Sequence, residues 1–293
     1  MPWPRNLAKA IKTKVNLAGY TSFKIGGQAK YFFEPKNLKQ LQQVLILAKH
    51  AGLRVFILGA GSNILVSDSG LDGLVIKLSN KSFKQLDCQG SCLTAGSGLK
   101  LNALISFSRN KNLSGLEFLT GIPGTLGGCL MGNAGAWGKA IGELVKQVGV
   151  LDYNGKLKLL ESKQLKFAYR KSNLNNYIII WAKLKLLAKE KKAIAAKINQ
   201  YLLRRKQSQG NNLPNAGCIF KNPACGSAGR LIDNCGLKGM ARGGAVISKL
   251  HANFILNTGK AKSRDVLSLM DLTRKKVKER FKINLEPEIK IWK

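Results

Sequence analysis

Val55-Phe-Ile-Leu-Gly-Ala-Gly-Ser-Asn63 turns within a few residues from an unbroken apolar run into a glycine loop. A short apolar run that stops at glycine reads as a buried strand, and the glycines that follow cannot extend it. Just before it, Lys39–Lys49 spaces Leu41, Val44, Leu45, Leu47 and Ala48 as one helical face, so this part alternates helix and strand. From Leu74 to about Leu187 short strand-like pieces alternate with turns. Val148–Leu160 carries Asn154-Gly155 between apolar runs, which predicts a hairpin. Ile194, Ile198, Tyr201 and Leu202 predict one face of a helix. Val266, Leu269, Met270, Thr273, Val277 and Phe281 predict a longer one. Leu285, Ile289 and Ile291 predict a closing strand within Asn284–Trp292. The expected class is α+β, in three consecutive parts over 1–78, 79–188 and 189–293.

Composition narrows the function classes. With 293 residues, 45% of them hydrophobic and only 7 prolines, the chain is expected to fold and not to be disordered. The formal charge of +34 favours anionic partners without choosing among them. A nucleic-acid binder concentrates its basic residues on one face with aromatics between them. Here lysine occurs in almost every segment. The two dense stretches, Ala182–Gln207 and Arg274–Lys282, read as solvated helix faces. No nucleic-acid partner is expected. Six cysteines without a CxxC pair and only His50 and His251 predict no metal site and no disulfide framework. The N-terminal residues lack a charged-then-apolar signal pattern, and the longest apolar run, Tyr177–Ala182, is far below a membrane span. A cytoplasmic, monomeric protein without membrane insertion is expected.

Three glycine clusters carry the chemistry. They are Gly59-Ala60-Gly61-Ser62-Asn63, Gly121-Ile122-Pro123-Gly124-Thr125-Leu-Gly-Gly128 and Asn133-Ala-Gly135-Ala-Trp-Gly138. Residues without a Cβ let backbone N–H groups converge on a phosphate, and Ser62, Asn63 and Thr125 add side-chain donors. Neither a Walker A motif nor GxGxxG is present. Three such clusters together predict a dinucleotide or flavin site, and the residues alone go no further.

The order of motifs does go further. Thr21-Ser-Phe-Lys-Ile-Gly-Gly27, Leu58–Val66, Gly115-Leu-Glu-Phe118 running into Gly121-Ile-Pro-Gly124, Tyr169-Arg-Lys-Ser172, Gly217-Cys-Ile-Phe-Lys-Asn-Pro223, Ala228–Ile232, Gly236–Gly239, His251-Ala-Asn-Phe254 and Leu285-Glu-Pro-Glu288 follow one another from end to end. In this series the chain resembles the UDP-N-acetylenolpyruvoylglucosamine reductase (UDP-N-acetylmuramate dehydrogenase) family, in its shorter type without an extra substrate-covering loop. The resemblance implies a two-part FAD-binding module of the vanillyl-alcohol-oxidase type followed by a C-terminal α+β substrate domain. It implies FAD as cofactor, NADPH as reductant and a UDP-sugar enol ether as substrate. Relatives that bind flavin covalently use a histidine near the pyrophosphate loop. None lies in Gly59–Asn63, so the flavin is expected to be non-covalent.

The implied reaction delivers hydride to C3 of the enolpyruvyl group, which leaves negative charge shared between C2 and the carboxylate until a proton reaches C2. By resemblance Arg170 grips the substrate carboxylate, a task suited to a planar guanidinium. Cys218 stands where most members have serine, as the acid for C2. A thiol, with a pKa of about 8.5, gives up a proton far more readily than an aliphatic hydroxyl. Glu288 polarises the enol ether, with Glu286 as its rival on the same expected strand. Tyr169, Arg204, Arg205 and Asn222 are expected at the substrate. Glu117 and Asn133 are expected to hold the flavin loops, while His251 and Asn253 organise a loop and do not react. The alternative within the same scaffold is an FAD-linked oxidase of a different alcohol or sugar.

Overall fold

A computed structural model describes residues 3–209 and 213–293. The described chain divides into two compact units. One comprises residues up to 13 together with 31–60 and 73–204; the other comprises 14–30, 61–72 and the residues from 205 onward. This division is not one of consecutive stretches, and the expected three-part reading along the chain could not anticipate it. The reason lies in burial: Phe23, Ile25 and Leu65 are fully or almost fully buried in the same apolar cluster as Phe220, Ile232, Leu269 and Ile289. The C-terminal strand Lys290–Trp292 also pairs in parallel with Ile64–Val66. Contacts between residues so distant in sequence leave no local pattern to read.

The first unit carries two apolar cores. One gathers Leu7, Phe33, Leu41, Val44, Leu45, Leu74, Ile76 and Ile178 around the helix Leu38–His50. That helix buries Leu41, Val44, Leu45 and Ala48, the face its spacing predicts, and Asn37 caps it by accepting from Gln40 N–H at 3.0 Å. The strand Arg54–Leu58 pairs in parallel with Leu71–Lys77, but it lies at the edge of the sheet order Lys12–Asn16, Gln28–Phe33, Leu71–Lys77, Arg54–Leu58. Its edge position leaves Val55, Phe56 and Ile57 only half-buried, against the fully buried strand expected.

The second core fills an antiparallel five-stranded sheet, ordered Leu157–Glu161, Val145–Leu151, Ile178–Lys185, Cys92–Gly96, Leu86–Gln89. Its first two strands form the hairpin predicted around Asn154-Gly155, with Leu151 opposite Leu157. Gly155 takes φ +79°, and Asp152 Oδ1 accepts from Asn154 and Lys156 N–H at 3.0 and 2.9 Å. The helix Lys191–Gln209 buries Ile194 and Tyr201. Leu202, expected on the same face, is exposed.

In the second unit an antiparallel sheet orders Asn215–Cys218, Phe254–Asn257, Ala245–Ile247 and Ala241–Arg242. The helix Ser263–Phe281 buries Val266, Leu269, Met270, Thr273 and Val277, as its period predicts. In the closing segment Leu285 and Ile289 are buried, Ile291 is exposed, and only Lys290–Trp292 forms strand.

Candidate functional site

In the first unit the glycine loop 121–128 is tied to the segment 97–101 and capped onto a short helix. Leu126 and Gly127 N–H donate to Leu99 O and Ser97 O at 2.9 and 2.8 Å, and Ile122 N–H donates to Leu119 O at 3.0 Å. Thr125, the N-cap of the helix Leu126–Met131, accepts from Gly128 N–H at 3.5 Å. Those four amides are spent within the protein, so the expected run of open N–H groups along this loop is shortened. What remains is a cradle. A Cβ on Gly59 would lie 2.8 Å from Thr125 Oγ1, and Gly121 and Gly138 take φ of +76° and +77°. Ser97 is buried and its hydroxyl has no hydrogen-bond partner, an arrangement that a buried polar group tolerates only at a cost. An orphaned hydroxyl beside a glycine cradle fits a phosphate-bearing ligand such as the expected dinucleotide. Ser97 was missed in the sequence; the small-residue run Ala95-Gly-Ser-Gly98 was its only signal.

Arg170 sits in the two-residue turn of a hairpin in which Phe167 faces Ser172 and Ala168 faces Lys171. Its backbone is left-handed, φ +54°, a conformation that costs a non-glycine residue about 1–2 kcal/mol. The guanidinium donates to Gly135 O at 2.9 Å and lies 5.3 Å from the ring centre of Tyr169, whose own side chain is exposed. Asn133, with φ +42°, braces this turn: its amide donates to Ala168 O and accepts from Gly142 N–H, both at 2.9 Å. The Asn133 amide thus serves the Arg170 hairpin, a role the expectation of a cofactor contact did not include. Ser172 adds a bond to Met131 O at 2.9 Å. Beneath the hairpin, burial pushes the Cys129 thiol up to about 12, against the opposing pull of Arg170.

Glu117, buried, accepts from Gly115 N–H at 2.8 Å and so holds its own loop. The third glycine cluster meets the helix Lys191–Gln209 through Trp137, which stacks on Tyr201 with ring centres 5.6 Å apart and 13° between planes. Arg204 lies 5.9 Å from the Trp137 ring centre, while Arg205 donates to Gln209 Oε1 at 2.9 Å. The two neighbouring arginines therefore have different surroundings, and the Trp137 stack was not foreseen.

In the second unit Gly61 takes φ +67°, and its carbonyl accepts from Ser22 N–H at 3.0 Å. A Cβ there would lie 2.1 Å from Tyr20 O, so only glycine fits. Ser62 is the loop's next residue, and the Asn63 side chain donates to Glu288 O at 3.3 Å. Cys218 ends the strand Asn215–Cys218, opposite Phe254, after a register shift and a left-handed Gly217 at φ +75°. Glu288 N–H donates to Ile219 O at 2.7 Å, and Phe220 bridges Pro287, so Cys218 and Glu288 lie on adjoining segments. The Glu286 side chain is 74% exposed and paired with Lys221 at 3.0 Å. Asn222 Oδ1 accepts from Ala228 N–H at 3.0 Å. His251 packs edge-on against Phe254, ring centres 4.8 Å apart, and burial lowers its pKa.

Comparison with known proteins bears on what this assembly is for. Residues 207–292 match the family model for the C-terminal domain of UDP-N-acetylenolpyruvoylglucosamine reductase, and residues 29–160 match the model for an FAD-binding domain. A UDP-N-acetylenolpyruvoylglucosamine reductase 2 of Symbiobacterium thermophilum is 41% identical over 96% of this chain and 92% of its own. A reductase of the same name from Moorella thermoacetica is 39% identical, covering 96% of this chain and 93% of its own. The crystal structure of UDP-N-acetylenolpyruvylglucosamine reductase from Thermus caldophilus superposes with a TM-score of 0.84 at 34% identity, covering 97% of this chain and 99% of that one.

Proposed function

Since this chain belongs to the UDP-N-acetylenolpyruvoylglucosamine reductase family, we propose that it reduces UDP-N-acetylglucosamine enolpyruvate to UDP-N-acetylmuramate in peptidoglycan precursor synthesis. The observation that carries the reading is the junction of Cys218 and Glu288 through the 2.7 Å bond from Glu288 N–H to Ile219 O. It supports the reading by setting Cys218 and Glu288 on adjoining backbone, where a thiol and a carboxylate could serve protonation of an enol ether together.

A non-covalent FAD, once reduced by NADPH, would supply the hydride. Gly59, Ala60, Gly121, Gly124, Thr125 and Ser97 are the residues we assign to its phosphates. Arg170 holds the substrate carboxylate and the charge that develops beside it, with its guanidinium fixed in direction by Gly135 O. Cys218 donates the proton to C2, and Glu288 polarises the enol ether. Tyr169, Arg204, Arg205 and Asn222 hold the sugar nucleotide. Among the described residues no helix is long and apolar enough to cross a membrane. We further propose a cytoplasmic monomer acting on small molecules without a nucleic-acid partner. The relatives above carry reductase names, and the oxidase alternative is not favoured.

The test separates the two halves of turnover anaerobically. The purified protein, yellow with flavin, is bleached by NADPH and then mixed with UDP-N-acetylglucosamine enolpyruvate. Reoxidation is expected in the wild type and in Cys218→Ser, and to slow by about 10²–10⁴ in Cys218→Ala with the NADPH step unchanged. Equal reoxidation rates in wild type and Cys218→Ala would remove the thiol from the mechanism. A colourless protein that takes up no flavin would remove the proposal itself.

A further inference from the structure

We propose that Asn253 is a positioning residue for the proton-transfer step, aligning Cys218 with Glu288 by acting as a substitute strand on the segment between them. The inference rests on the roles assigned to Cys218 and Glu288 above. Past Cys218 the regular ladder ends: its pairing with Phe254 is the last in that strand, and the register has already shifted between Asn215 and Cys218. Asn253, 2% exposed, takes over where the ladder stops. Its backbone carbonyl accepts from Ile219 N–H at 2.9 Å. Its side chain then holds both polar groups of the next residue, accepting from Phe220 N–H at 2.9 Å and donating to Phe220 O at 2.7 Å.

An asparagine amide offers one acceptor and one donor side by side, matching the two groups that a neighbouring strand would present. On its other side the same segment is held by Glu288 N–H to Ile219 O at 2.7 Å and by Lys221 N–H to Glu286 O at 2.9 Å. Residues 219–221 are thereby fixed between Asn253 and the 286–288 segment, with Cys218 immediately before them and Glu288 bound directly to them. A general acid depends first on distance and direction to the atom it protonates, so a small shift of this segment acts on proton delivery ahead of other steps. His251, two residues before, has its Nδ1 buried without a partner and adds no bond of this kind.

The test uses Asn253→Asp, which keeps the shape and the acceptor but faces an oxygen towards Phe220 O. Flavin content and the NADPH half-reaction are expected to stay within about twofold of wild type, and reoxidation by UDP-N-acetylglucosamine enolpyruvate to slow by about tenfold or more. Introduced into Cys218→Ala, the same change is expected to cost less than about twofold, because the group it aligns is gone. Equal slowing of both half-reactions, or a full tenfold loss that persists in the Cys218→Ala background, overturns the inference. Should Asn253→Asp fail to bind flavin, Asn253→Ser carries the same measurements; if neither folds with flavin, Asn253 is a folding residue and the proposal is wrong. An unimpaired Cys218→Ala would instead defeat the acid role assigned to Cys218, on which this inference rests, and that single variant tells the two failures apart.

Discussion

Asn133, Trp137 and Arg170 all hold left-handed backbone, with φ of +42°, +58° and +54°, and all three belong to the Arg170 hairpin or the glycine loop beside it. Strained non-glycine backbone persists only where the surroundings over-determine it, and such positions gather at functional sites. Here the surroundings are visible as the Asn133 amide bonds and the bond from Arg170 to Gly135 O. Cys129 is the nearby group whose titration reports on this packing. Its folded-state value of about 12 lies above the 9.0 of an unperturbed thiol, so its neutral form favours the fold. The stability it contributes is complete below pH 9.0 and declines from there towards pH 12, by up to about 1.4 kcal/mol per pH unit. Cys129→Val is therefore expected to be less sensitive to alkali than wild type in urea titrations between those limits. Parallel loss of stability in the two proteins would place the alkaline sensitivity elsewhere.

At the level of elements, the helix Ser263–Phe281 begins with a capping device borrowed from far along the chain. Its N-cap residue, Lys262, makes no side-chain cap bond. The Asp68 carboxylate accepts instead from Ser263 N–H and Ser263 Oγ, each at 2.8 Å, and from Arg264 N–H at 3.3 Å. A carboxylate there satisfies orphan donors and meets the positive end of the helix dipole. Asp68→Ala is expected to destabilise the protein by about 1–2 kcal/mol, read as a lower urea midpoint at unchanged slope. A change below about 0.3 kcal/mol would mean that solvent caps this helix equally well. The helix itself is legible in the sequence because its apolar period is strong. Its cap is not, because no local motif connects residue 68 to residue 263. The same division appears in Leu285-Glu-Pro-Glu288, where period alone leaves the two acids equivalent. The ion pair with Lys221 and the bond to Ile219 O distinguish them.

For the molecule as a whole, 49 basic residues against 15 acidic ones leave an excess that no set of ion pairs can neutralise. Pairs such as Lys30–Asp72 at 2.7 Å and Lys238–Asp233 at 2.6 Å are solvent-exposed, and exposed pairs contribute little. Self-repulsion in the compact state is the larger effect, and salt screens it over a Debye length of about 10 Å at 0.1 M. The melting temperature is expected to rise by several degrees when sodium chloride increases from about 0.01 to 0.3 M. A melting temperature that stays level or falls would show that the charges are too dispersed to repel measurably. The same screening is expected to weaken binding of the proposed sugar nucleotide, whose diphosphate and carboxylate are all anionic.

Sequence alone determined what depends on neighbours in the chain: the helix faces of Leu38–His50 and Ser263–Phe281, the hairpin at Asn154-Gly155, and the motif series that carries family membership. Periodicity and turn chemistry act over a few residues, so they can be read without coordinates. Tertiary structure decided which distant segments share a core, that Glu286 is exposed and paired with Lys221, and that Asn133 and Asn253 are spent on backbone. Those outcomes depend on burial and on where backbone groups find partners, and both are settled only once the whole chain has closed on itself.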